Sequence, residues 1–119
     1  MPAGNWGRMV AIERMRALAL ALPDAVEAPH FERVSFRVRG KIFATLDLEA
    51  GRAMLKLPLD EQARAIATEP AAYAAVPGSC GTHGSTYVTL RVARIATFRA
   101  FLEIAWGAAR EPAKRRRAR

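Results

Sequence analysis

Hydrophobic and polar positions alternate without a break through "RVSFRV" at 33–38, with Val34, Phe36 and Val38 in one series and Arg33, Ser35 and Arg37 in the other. A period of two sends the two series to opposite faces of a β-strand, one toward a core and one toward water. Arg39-Gly40 then reads as a tight hairpin turn into a second strand, "KIFATLD" at 41–47. "EAGR" at 49–52 is another turn, leading into "AMLKL" at 53–57, and Val26–His30 gives a weaker strand signal ahead of the hairpin. Connections this short join antiparallel neighbours. Later, "TYVTLRV" at 86–92 alternates again, with Val88, Leu90 and Val92 on one side and Tyr87, Thr89 and Arg91 on the other.

Helical spacing replaces alternation elsewhere. Ile12, Met15, Ala19 and Leu22, widened by Leu18, predict a first helix over about residues 6–21, with Asn5 as its N-cap and Pro23 as its stop. Asp60 reads as the N-cap of a short helix, "EQARAIAT", with Ala63, Ile66 and Ala67 inward. Residues 70–77 read as extended or irregular, and "GSCGTHGS" at 78–85 as a glycine-rich loop. Phe98, Phe101, Leu102, Ala105 and Ala109 form a stripe at i, i+3, i+4 and i+7 on a last helix reaching about Arg110. The order helix, three or four antiparallel strands, helix, strand, helix predicts an α+β fold. It has two layers, an antiparallel sheet with helices packed on one face and the other face open to water. On that reading Arg33, Arg37, Arg39, Lys56 and Arg91 share the uncovered face, with Tyr87 among them.

Composition sharpens this picture at one end. At 119 residues the chain fits one domain, taken as residues 1–112, followed by a flexible basic tail, 113–119. The formal charge is +8, from 19 Lys and Arg against 11 Asp and Glu, yet "KRRRAR" at 114–119 holds five of the cations. Without them 14 oppose 11, so residues 1–113 carry only +3. The single cysteine, Cys80, excludes an internal disulfide and suits a reducing compartment. Charged residues leave only Ala17–Leu22 as an uninterrupted apolar run near the N-terminus, short for a signal core, and no segment is long enough to span a bilayer. A cytoplasmic, monomeric protein without membrane contact is expected.

The segment "LALPDAVEAPHFERVSFRVRGKIFATLD" at 20–47, together with "LKLPLDEQARAIATEPAAY" and "YVTLRV", resembles the MmcQ/YjbR-like proteins over roughly residues 10–110. The resemblance implies a fold similar to CyaY and the secretion-chaperone-like proteins, an antiparallel sheet backed by helices. Its members are often labelled DNA-binding. Tyr87 stands where the family usually has tryptophan, and the basic tail lies beyond the shared segment.

Candidate chemistry follows from charge more than from motifs. Arginine forks match phosphate oxygens, and each neutralised phosphate releases counterions. The expected contacts are Arg33, Arg37, Arg39, Lys41, Lys56 and Arg91, a base stacked on Tyr87, and the tail cations Lys114, Arg115, Arg116 and Arg117. The partner would be DNA or another polyanion, bound weakly and without sequence preference. The alternative is a protein-interaction module docking an acidic partner, and after that an enzyme or small-molecule binder using the loop around His83. Cys80 and His83 form a C-x-x-H pair, but His30 is the one other His or Cys, so four-ligand zinc is not expected. The glycine loop lacks the Gly-Lys-Ser/Thr ending of a phosphate loop. Ser79, Ser85, His30 and His83 show no nucleophile-and-base arrangement, and Glu13 among Arg8, Arg14 and Arg16 is the wrong charge for a bound iron. No catalysis, cofactor or metal is expected.

Overall fold

The computed structural model describes residues 3–30 and 32–111, with side chains from residue 11 onward. Six antiparallel strands form one sheet in the order β1-β2-β3-β4-β6-β5. They are β1 (Val26–His30), β2 (Arg33–Val38), β3 (Lys41–Asp47), β4 (Arg52–Lys56), β5 (Tyr73–Ala75) and β6 (Ser85–Thr89). The helices are α1 (Ala3–Leu20), α2 (Leu59–Thr68), the one-turn α3 (Ser79–Thr82) and α4 (Ile95–Arg110). The α+β class, the hairpins and the antiparallel pairing expected from the sequence are all present.

The core lies between the sheet and the helices. Phe36 pairs with Ala44, Ala44 with Leu55, and Leu46 with Ala53, all buried, so the alternating apolar series does line one face. α4 covers that face with the stripe read from its spacing: Phe98, Phe101, Leu102, Ala105 and Ala109 are all buried. Ile12, Met15 and Ala19 of α1 join the same core. The Trp106 indole donates to the Pro23 carbonyl at 3.0 Å, tying α4 to the chain leaving α1.

The structure corrects several local expectations. α1 begins at Ala3, so Asn5 lies inside the helix and not at its cap. α2 begins at Leu59 with Pro58 at the capping position, and Asp60 accepts instead from the adjacent Glu61 amide. Its inward residues are Gln62 and Ala65; Ala63 and Ala67 are exposed and Ile66 half-buried. The cause is polar: the Gln62 amide donates to the carbonyls of Gly81 and Ser85 at 3.0 and 3.1 Å, which fixes the helix rotation. A sixth strand, β5, occupies part of the stretch read as irregular. β6 stops at Thr89, three residues before the alternation does. The Thr89 carbonyl is taken by the amides of Val92 and Ala93 in a turn, leaving Val92 exposed.

Candidate functional site

Register defines what the face away from the helices carries. One row across the sheet runs Ala28, Ser35, Thr45, Met54, Tyr87 and Ala74, and the next His30, Arg33, Asp47, Arg52 and Thr89. This face is not bare at its centre. Ser35, Thr45 and Ser85 are buried, because small hydroxyl residues sit between larger neighbours. Arg37 donates from Nε to Ser35 Oγ, which itself donates to the Ala28 carbonyl. Val76 and Cys80, from the segment after β5, close one side of a cavity of about 150 Å3 on this face.

The expected cations are dispersed over the molecule. Arg33 does lie on the open face, but its Nε is 3.7 Å from an Asp47 carboxylate oxygen, so its charge is locally balanced. Arg37 and Lys56 also keep open-face positions by alternation with Ser35 and Met54. Tyr87 is there too, covered by a guanidinium that the sequence reading had placed in a turn: Arg52, 4.0 Å above the ring centroid. The open base-stacking platform is therefore already occupied by an internal cation–π pair.

Arg39 and Arg91 leave the face expected of them, and Lys41, expected as a contact, lies off it as well. Arg39 and Gly40 both have positive φ, 54° and 80°, the signature of a two-residue hairpin turn of the primed type. Strand alternation ends there, and Arg39 reaches round to the Arg110 carbonyl of α4 at 3.3 Å. Lys41 likewise turns to the helix side, donating from Nζ to the Glu111 carbonyl at 3.3 Å. Arg91 sits in the turn that follows β6 and belongs to no strand. Lys114, Arg115, Arg116 and Arg117 fall outside the described residues.

At one end of the sheet, Lys41 on the helix side meets Arg37 and Lys56, which keep their open-face positions. Where the β2–β3 turn meets the C-terminal half of α4, a groove of about 400 Å3 is lined by Arg37, Lys41 and Lys56 over Ile42, Ala105 and Ala109. Among the described residues no carboxylate lines it. None of the three cations makes an ion pair among the described residues. Alanines on the helix side keep the groove open, and Arg39 flanks it through the same turn. The chain leaves α4 beside this groove, since Lys41 contacts Glu111.

His83 Nδ1 lies 2.7 Å from the Ser79 carbonyl, across the single turn of α3. Among the described residues no group of three His, Cys, Asp or Glu side chains gathers as a metal site would require. No helix among them is long and apolar enough to cross a membrane.

Comparison with known proteins adds fold and family. In a crystal structure, the Deinococcus radiodurans protein DR2400, with a DUF419 domain, matches with a TM-score of 0.68 at 17% identity. The match covers 80% of this chain and 75% of that one, and at such identity it speaks for the fold alone. No curated protein matches. The family profile named YjbR matches residues 20–108, from the end of α1 through all six strands into α4, and the chain therefore belongs to the YjbR family.

Proposed function

We propose that this protein is a non-enzymatic, cytoplasmic binder of polyanions, nucleic acid foremost, which grips phosphates non-specifically through the groove at the β2–β3 turn and the basic tail. The observation that carries this reading is the groove itself: three cations converge on it and, among the described residues, no carboxylate lines it. A polyanion is the partner that such a surface favours, because each phosphate neutralised releases condensed counterions. The open sheet face is the weaker candidate. There Arg33 faces Asp47, and Glu32 and Glu49 share that end with them. The tail, with five cations in its last six residues, would supply further sequence-independent contacts to the same partner.

The test is a salt titration of binding to a short labelled DNA duplex, with the full chain and with residues 1–113. The full chain should show the steeper salt dependence. The shortened protein should still bind, with a log–log slope of about −2.7, three groove contacts at about −0.9 each. If the shortened protein shows no affinity at low salt, the tail is the whole effect and the groove has no part.

A further inference from the structure

We propose that the cavity on the open sheet face is a binding site for a small organic carboxylate with an apolar body, anchored by Arg52. The proposal does not depend on the phosphate groove, which uses other residues.

The argument starts from how the charges on this face are shared out. Asp47 is Arg52's register partner across β3 and β4, yet its carboxylate is turned elsewhere. One oxygen accepts from the Ala50 amide at 3.1 Å, and the other faces Arg33 at 3.7 Å. Arg33 and Asp47 thus offset one another, and Arg52 is left as the cation without a counter-charge. Among the described residues no hydrogen bond or ion pair engages its guanidinium. The group is nevertheless held in place, stacked 4.0 Å over the Tyr87 ring. A planar fork whose orientation is already fixed loses little freedom when an anion arrives.

The cavity beside it sets the rest of the ligand. Its volume is about 150 Å3, well below that of sites for drug-sized molecules. A cavity of that size is enough for a single six-membered ring. Met54 and Val76 offer apolar contact, and Thr45 and Ser85 offer hydroxyls. One uncompensated cation beside an apolar hollow favours a monoanion with a compact hydrocarbon part. A phosphate dianion would instead leave charge unmatched next to Asp47. The planar carboxylate also fits the two-pronged guanidinium geometry.

Benzoate is a suitable probe, with benzamide as its uncharged counterpart, read by two-dimensional amide NMR on the full-length protein. Benzoate should shift the amides of Thr45, Met54 and Tyr87 saturably. Benzamide and the Arg52→Gln variant should each weaken binding about ten-fold or more, the worth of a charge-assisted hydrogen bond. Equal binding of benzamide overturns the proposal. So does an absence of saturation up to the solubility of benzoate, or an equal response of the same amides to inorganic phosphate. Should Arg52→Gln fail to fold, the benzoate and benzamide comparison on the unaltered chain decides alone.

Discussion

Tyr73 carries its hydroxyl into the core, 1% exposed, with its ring edge-on to Phe101 at 5.6 Å. Neither that hydroxyl nor the buried Oε2 of Glu69 has a hydrogen-bond partner among the described residues. Burial, helped by the nearby Glu69 charge, pushes the phenol above its ordinary value of 10.0. Tyr73→Phe should therefore raise stability by about 1 kcal/mol in chemical denaturation, since it removes an unsatisfied group without emptying the site. The pH dependence has a definite sign. Below pH 10 both folded and unfolded chains keep the proton, whereas above it only the unfolded chain gives it up readily, so stability falls as pH climbs. Tyr73→Phe should lose that component of the fall, leaving a flatter profile above pH 10 than the unaltered protein. At Gly84 the backbone has φ 108°, and a Cβ would overlap the Leu57 carbonyl oxygen. Gly84→Ala should cost about 3 kcal/mol, combining backbone strain with overpacking, and thermal melts would read it directly.

At the scale of elements, α4 holds the sheet's apolar face through its buried stripe. Phe101→Ala should destabilise by roughly 3–5 kcal/mol in denaturant titration, because a ring 2% exposed leaves a cavity the sheet cannot close. That helix was fully legible in the chain, as its burial depends only on 3.6-residue spacing. β2 and β3 were legible for the same kind of reason. β6 was not bounded correctly, because Leu90 and Val92 continue the alternation after the ladder has ended. The Leu90 amide bonds to the Gly51 carbonyl, and the chain turns away at Thr89. α2 was misread in rotation because a glutamine bonded to two loop carbonyls is buried as firmly as an alanine. The candidate site was legible only in its ingredients. Alternation placed Arg37, Lys56 and Tyr87 on their face, but a polar position gives no hint of an ion-pair partner. Arg33's partner Asp47 closes the next strand, and Arg52 opens β4 directly after a turn, where no periodicity marks it. Arg39 leaves the alternation at a left-handed turn, and a register shift between Phe36 and Arg37 pairs Lys41 with the buried Val38 on the helix side.

Across the described residues, Arg37, Lys41 and Lys56 gather at one end of the sheet. Five of the 19 cations lie in the last six residues, and the chain reaches them from the end of α4 beside Arg39 and Lys41. The mild net charge of the body matters less than where Arg37, Lys41 and Lys56 converge. The central claim is that this end of the sheet, and not the Arg33–Arg52 end of its open face, meets the polyanion. The most direct measurement compares duplex-DNA affinity and salt slope for two full-length double variants, Lys41→Glu with Lys56→Glu, and Arg33→Gln with Arg52→Gln. The groove pair should lose about ten-fold or more in affinity and about 1.8 from the magnitude of the slope, while the open-face pair stays within about two-fold of the unaltered protein. A loss confined to the open-face pair, with the groove pair unchanged, would contradict the account.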